Sequence, residues 1–321
     1  MILIADSGST KTDWALVDDH QAVKEIKTQG LNPFQVSGEQ IAAEIRSALL
    51  PHLPTTEVDA VYFYGAGCTP EKQPIVEQAL RDTLTIRNHC TVASDMLGAA
   101  IAVCGHEPGI ACILGTGSNS CAYDGERIVK NVSPLGFILG DEGSGASMGK
   151  YLLGNLLKRQ WPEAIIERFH AKYGLTAAEI IDRVYRQPRP NTFLASFMPF
   201  LEENLHEPVV YQFVKDNFRS FLQRNVKQYE GWNRLPIGFN GSLAQIYRQP
   251  LAEALQEEGM HLGRIVKAYS PPSQPTISQQ RLSTLFMSDG RCCCFYGYLS
   301  CGLPDARHEL FPMFTLLNSA F

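Results

Sequence analysis

The chain has 321 residues, 45% hydrophobic and 19% charged, the balance of a globular protein long enough for two cores. Its 28 Lys and Arg against 33 Asp and Glu leave a net charge of -5, which excludes a basic footprint for nucleic acid or an anionic membrane. The opening Met-Ile-Leu-Ile-Ala-Asp has no basic leader region, and no apolar run reaches the ~20 residues of a membrane span, so a cytoplasmic location is expected.

In chain order, residues 1–5 are an apolar run of buried-strand type, residues 6–11 have turn chemistry, and residues 12–18 alternate as a second strand. Residues 41–50 have helical spacing, 58–64 return to strand, and 74–84 look helical. A short strand at 91–93 leads into Ser94 and Asp95, either of which can cap a helix running through Val103. The opening pattern then recurs, with an apolar strand at 110–114, a turn at 115–119 and a further strand at 120–124. Laying Gly117 on Gly8 also lays Ser118 on Ser9 and Thr116 on Ser7, which suggests a duplicated α/β architecture. Residues 151–231 read as helical, and Val210, Phe213, Val214, Phe218, Phe221, Leu222 and Val226 form one apolar stripe. A strand at 235–239, a turn at Gly241-Ser242, a helix over 243–258 and a strand over 264–269 complete the pattern. The division between halves falls at residues 106–109, giving units 1–106 and 107–270 and a tail 271–321.

The nine Cys divide into two groups. Cys68, Cys90, Cys104, Cys112 and Cys121 stand singly in apolar or small-residue surroundings, as reduced buried thiols do, while Cys292, Cys293, Cys294 and Cys301 crowd near the end. Without a Cys-x-x-Cys pair, and with scattered His, zinc and iron–sulfur sites have little support.

The stretch Asp6-Ser7-Gly8-Ser9-Thr10-Lys11-Thr12 carries the most chemistry. A phosphate site needs backbone N–H groups aimed at one point, and Gly8 permits close approach. Ser9 and Thr10 add hydroxyl donors, Lys11 adds a positive charge, and Asp6 can hold Mg²⁺ directly or through water. The spacing and the strand that follows exclude a P-loop, and the same context argues against a dinucleotide fingerprint. Taken alone, this stretch reads as an ordinary polar hairpin, since Gly, Ser and Asp turns are common between strands. The second turn, Gly115-Thr116-Gly117-Ser118-Asn119, and a third, Asn240-Gly241-Ser242, make a phosphate grip from two sides the better reading.

Together these motifs resemble the ATP-binding set of the actin/hexokinase/Hsp70 superfamily. Leu139-Gly140-Asp141-Glu142-Gly143-Ser144-Gly145 and Gly30-Leu31-Asn32-Pro33-Phe34 are similar to its N-acetylglucosamine kinase branch, grouped with the BadF/BadG-type ATPases. The resemblance covers about residues 1–270. It implies an α/β, two-domain, actin-like ATPase with a duplicated ribonuclease H-like fold and a helical segment in the second domain. It also implies ATP and Mg²⁺ as cofactors, a small-molecule sugar as partner, and room for a homodimer. Asp6 would organise Mg²⁺; Gly8, Ser9, Thr10 and Lys11 would surround the phosphates; Gly115, Thr116 and Gly117 would form the second phosphate loop. Gly241 and Ser242 match the adenosine motif, and Asn32, Asn119 and Asp141 match sugar-contacting positions. Asp95 matches the catalytic base, although as the start of a helix it can also be only a cap. The implied activity is an ATP-dependent kinase for an amino sugar, N-acetylglucosamine or a relative such as glucosamine.

Two other readings compete. An activator ATPase of the 2-hydroxyacyl-CoA dehydratase or benzoyl-CoA reductase type would hold an iron–sulfur cluster, but Cys112 and Cys121 flank the turn as strand residues. A sugar or ATP sensor would have no need of Asp95 as a base. The tail departs from the family: Pro271, Pro272 and Pro275 oppose the expected closing helix, and the Cys triplet suits a shifted reading frame or an unrelated extension.

Overall fold

A computed structural model describes residues 1–18 and 21–266, the side chains of 21–23 excepted, and the strand pair Leu285–Phe286 with Cys292–Cys293. The remainder of the 271–321 tail and the expected strand end at 267–269 lie outside the described residues.

Two five-stranded sheets share one plan. The first contains β1 (Ile2–Ser7), β2 (Lys11–Asp18), β3 (Gln21–Gln29), β4 (Glu57–Gly65) and β5 (Thr85–Ser94), in the order β3-β2-β1-β4-β5. The second contains β6 (Gly109–Leu114), β7 (Ser118–Tyr123), β8 (Ile128–Val132), β9 (Pro236–Asn240) and β10 (His261–Val266), in the order β10-β9-β6-β7-β8. In each, three antiparallel strands are extended on one side by two parallel ones. The duplication is therefore present, but it is not aligned as the sequence suggested. Ser7 and Leu114 each end the incoming strand, so Gly115, not Gly117, takes the position of Gly8. The second turn is also shorter: Leu114 pairs with Ser118, whereas Ser7 pairs with Thr12.

The connecting helices are α1 (Gly38–Glu44), α2 (Gln73–Arg81) and α3 (Asp95–Cys104). The capping box of Ser37 and Gln40 starts α1, which runs on through one π turn and one 3-10 turn as far as His52. Strand alternation sends Leu3 and Ala5 into a core with Ile41, Ile45, Val76 and Leu80, and turns Ile2 and Ile4 to the opposite face with Ala60 and Tyr62. Trp14 belongs to the first core, edge-on to Phe63 with its indole N–H donated to Thr28 Oγ1 at 3.0 Å.

Helix α3 lies between the sheets. Met96, Ala99, Ala100 and Val103 pack on Ala111, Cys121 and Tyr123 of the second sheet. On the other side, a Cβ at Gly98 would lie 2.8 Å from the Tyr64 ring of β4. The helix thus touches both sheets, and Asp95 is its first residue. A division near residue 106 is retained as our proposal for the organisation of the chain.

The helical segment is α4 (Gly136–Leu139), α5 (Gly145–Leu157), α6 (Glu163–Tyr173), α7 (Ala177–Tyr185), α8 (Pro190–Ala195), α9 (Met198–Glu203) and α10 (Pro208–Arg224). Its buried aromatic residues, Trp161 among them, form one core with Ile110, Cys112 and Leu114 of β6. After β9, the expected long helix divides at Tyr247 into α11 (Ser242–Ile246) and α12 (Arg248–Glu257), and β10 begins at His261, three residues before the expected Arg264. No helix among the described residues is long and apolar enough to cross a membrane.

Gly149 sets how closely α5 and α8 approach. A Cβ there would lie 2.0 Å from the Leu194 carbonyl oxygen and 2.6 Å from its carbon, both backbone atoms that cannot rotate away. Gly149→Ala is expected to cost about 1–3 kcal/mol through overpacking, read as a lower urea midpoint at an unchanged slope.

Candidate ATP and acceptor site

The first turn is braced from beneath. Gly8 N–H donates to the Lys11 carbonyl at 2.9 Å, and the Ser7 and Thr12 hydroxyls meet at 2.7 Å. The chain leaving β3 supports the turn, with Gly30 N–H donating to the Thr10 carbonyl at 3.1 Å. A Cβ at Gly30 would come within 2.5 Å of the Gly8 carbonyl oxygen, so this approach is open only to glycine. Asn32 donates its amide N–H to Ser9 Oγ at 2.9 Å and accepts from Phe34 N–H at 2.9 Å. The structure thus places Asn32 under the first turn, buried, with its carbonyl engaged by the backbone.

Because Asp6 follows Ile2 and Ile4 on the same face of β1, it points towards α3. Its carboxylate keeps contact with water, although protein surrounds it on most sides. That burial, with Asp95 and Asp13 adding negative charge and Lys11 opposing them, pushes its pKa up to about 6. Asp13 stands directly across from Asp6 in the β1–β2 register. Lys11 is not loose over the turn: its Nζ pairs with Asp13 Oδ2 at 2.6 Å. Asp13 Oδ1, which is enclosed, has no hydrogen-bond partner among the described residues, and Lys27 Nζ lies 4.0 Å from it. The sequence reading missed Asp13, although strand periodicity puts it on the face shared by Asp6 and Lys11.

Asp95 opens α3 but does not cap it. The cap is Ser94, whose hydroxyl accepts from Leu97 N–H at 3.2 Å, while Asp95 Oδ1 accepts from Met96 N–H at 2.8 Å. Burial raises the Asp95 pKa, opposed by the Met96 N–H and its own. The β-register aligns Ser7, Gly65 and Ser94 at one end of the sheet, which brings Asp6 and Asp95 together.

The second turn is tied to the start of α5. Gly115 N–H donates to the Gly117 carbonyl at 2.9 Å, and Gly145 and Ala146 N–H groups donate to the Gly115 and Thr116 carbonyls at 2.8 and 3.0 Å. Asp141 has φ +55 and lies against this turn, its Oδ1 3.4 Å from Ser118 N and its Oδ2 3.3 Å from where a Gly117 Cβ would sit. Burial and the neighbouring Glu142 push the Asp141 pKa up to about 6, against the Ser118 N–H and Lys150. Asn119 has its carbonyl committed to Ser120 N–H at 2.9 Å and Asn131 Nδ2 at 3.0 Å. Gly241 has φ +123 and presses on the end of β6, where a Cβ would lie 2.3 Å from the Leu114 carbonyl oxygen. Ser242 begins α11 with its side chain exposed.

Among the described residues no group of three His, Cys, Asp or Glu is arranged to hold a metal ion. Cys112 and Cys121 are buried on adjacent strands, and burial pushes the Cys121 thiol up to about 12 and the Cys112 thiol well above its usual value.

Comparison with known proteins follows the same lines. No curated protein matches the chain. Among solved structures, a protein named "Putative N-acetylglucosamine Kinase" from Porphyromonas gingivalis is 50% identical, covering 84% of this chain and 95% of that one, with a TM-score of 0.81. A second protein so named, from Chromobacterium violaceum, shares the fold at 17% identity, covering 82% of this chain and 93% of that one, with a TM-score of 0.65. The profile of the BadF/BadG/BcrA/BcrD ATPase family matches residues 5–160, a span that includes both hairpin turns, Asp95 and Asp141. Half identity to a protein matched over nearly its whole length, on the same duplicated sheets, places this chain in that family: it belongs to the BadF/BadG/BcrA/BcrD ATPases.

Proposed function

We propose that the chain is an ATP-dependent sugar kinase that moves the γ-phosphate to a hydroxyl of an amino sugar, N-acetylglucosamine or a relative such as glucosamine. The observation that carries this reading is the Asp95 carboxylate, whose proton affinity is raised beside Asp6 where β1 and β5 end. Phosphoryl transfer asks mainly for positioning and charge neutralisation, with one carboxylate to accept the proton of the attacking hydroxyl. Asp95 has that role, and a raised pKa suits a base that must take up a proton. The kinase name of the half-identical relative supports the same class of acceptor.

The N–H groups of Ser9, Thr10, Thr116 and Gly117 and the hydroxyls of Ser9, Thr10 and Thr116 bind the phosphates from two sides. Gly8 and Gly115 close the turns with their own N–H groups and let the phosphates approach, and Lys11 contributes charge. Gly241 and Ser242 take the nucleoside end. Asn32, Asn119 and Asp141 orient the acceptor; since both Asn carbonyls are engaged, this falls to the Asn119 amide N–H groups and to the one Asn32 amide N–H that Ser9 Oγ does not accept. No three carboxylates among the described residues are arranged to hold a cation, so a divalent ion here would take Asp6 as its one protein ligand, directly or through water, with the charge of Asp95 nearby. Asp6 would hold Mg²⁺, which when bound neutralises phosphate charge. The activator reading draws no support from Cys112 and Cys121, because a thiol pushed up by burial resists the thiolate form that ligates iron.

A coupled ADP-release assay over a panel of hexoses and amino-hexoses tests the proposal. Release that depends on N-acetylglucosamine or glucosamine and exceeds both glucose and a sugar-free control is expected. ADP release indifferent to every sugar removes the kinase reading.

A further inference from the structure

Asp141 is followed by a second acid, Glu142, which works against it: the negative charge of Glu142 makes the Asp141 carboxylate harder to ionise. Adjacent acids with that effect need another reason to be there, and the contacts of Glu142 supply one. Its Oε1 meets Arg224 Nε at 2.6 Å, and its Oε2 accepts from Asn225 Nδ2 at 3.3 Å. Both partners come from the far end of α10, and Asn225 is itself held by the Phe221 carbonyl at 3.3 Å. Gly143, at φ +72, completes the approach, since a Cβ there would lie 3.0 Å from Phe221 Cβ. Five residues beyond Arg224, the Tyr229 hydroxyl donates to the Ser120 carbonyl at 2.7 Å and accepts from Val132 N–H at 3.0 Å. One stretch of chain, Phe221 to Tyr229, therefore holds both the Asp141 segment and the strand leaving the second turn.

We propose that Arg224, with Asn225, is a positioning residue that acts through Glu142 to hold the Asp141 carboxylate against the second phosphate turn. The proposal rests on the kinase reading for its effect on the acceptor, although the clamp itself exists without it. Arg224 is more than half exposed, so its ion pair adds little to stability; its consequence is geometric. The Asp141 backbone shows why an external hold is needed. Its φ of +55 is a conformation that L-residues rarely keep unaided, and the local ties are Asp141 N–H to the Pro134 carbonyl at 2.8 Å and Ser144 N–H to the Asp141 carbonyl at 3.1 Å. The charges facing Asp141 are Glu142 and Lys150, and Arg224 reaches it only by way of Glu142.

The test uses the full chain with Arg224→Gln, Arg224→Lys and Glu142→Gln. Amide exchange at residues 141–146, which needs no turnover, is expected to quicken in R224Q and to be partly restored in R224K. In the sugar-dependent assay R224Q is expected to raise the acceptor KM about tenfold while the ATP KM stays within about twofold, because a small misplacement falls on the acceptor contact. The acid limb of the acceptor KM, which follows Asp141 where that of turnover follows Asp95, separates positioning from general damage. E142Q removes a negative charge beside Asp141 and moves the limb to lower pH, whereas R224Q leaves Glu142 uncompensated and moves it to higher pH. Unchanged exchange in R224Q overturns the proposal, as do limbs that move the same way or acceptor and ATP KM values that rise together. If the wild-type chain turns over no sugar, the kinase reading fails, and exchange still decides whether the clamp holds Asp141.

Discussion

Asp95→Asn is expected to lower sugar-dependent turnover by about 10²–10⁴-fold while ATP binding stays within a few-fold of the wild-type value. The substitution is nearly isosteric, and the amide oxygen of Asn can still accept the Met96 N–H that Asp95 Oδ1 accepts at 2.8 Å. The helix cap is untouched, because Ser94 provides it. What disappears is the ability to take up the hydroxyl proton. The pH dependence has a definite sign. A base works in its deprotonated form, and burial raises the Asp95 pKa, so activity falls as pH falls through a value above the usual carboxylate range. In D95N that acid limb should flatten. Loss of the Asp95 charge also removes one cause of the raised Asp6 pKa, so Asp6 becomes easier to ionise and ATP binding has no reason to weaken. Steady-state ADP release and titration with a fluorescent ATP analogue measure the two effects. Unchanged turnover would remove Asp95 from the mechanism, and equal losses in turnover and binding would make it a structural residue.

The parts of the fold legible in the sequence were those with a strong local period. Buried β1 and β6 stand out as short apolar runs followed by Gly-bearing turns, and the stripe from Val210 to Leu222 marks α10. The strands that went unread, β3 and β8, occupy the same edge position in the two sheets. An edge strand shows one side to water and tolerates charge, so Lys24, Glu25 and Lys27 in β3 and Lys130 in β8 obscure the alternation. The turn alignment misled for a related reason. Gly, Ser and Thr recur in both turns, and only strand register reveals that the second is shorter. Near the site, Asp6, Asp95 and Asp141 were legible as types of residue in types of turn. Arg224 was not, because it is far from Glu142 in sequence and only the packing of α10 joins them. The expectation of a shifted-frame tail falls mostly outside the described residues and gains nothing from the fold.

Gly241→Ala should be the most damaging single methyl at the proposed nucleoside end. Two penalties coincide there. At φ +123 and ψ 160 the backbone lies in a region essentially reserved for glycine, which costs a side-chain residue about 1–3 kcal/mol. The added Cβ would also lie 2.3 Å from the Leu114 carbonyl oxygen and 2.9 Å from its carbon, so strand backbone, not a mobile side chain, must give way. Leu114 is the last residue of β6, and Gly115, which begins the second turn, is its neighbour. Relief of the clash therefore displaces the turn that the Gly145 and Ala146 N–H groups hold in place. Gly259→Ala separates the two penalties. Gly259 also has positive φ, +70, but nothing lies within 4 Å of its would-be Cβ. It should lose about 1 kcal/mol of stability from backbone conformation and bind ATP normally. G241A should lose more, with a shift in the urea midpoint beyond that of G259A and ATP affinity down at least about tenfold, equivalent to about 1.4 kcal/mol. If both variants lose the same stability and G241A still binds ATP as the wild type does, the third turn is a structural crossing and the nucleoside end of ATP lies elsewhere.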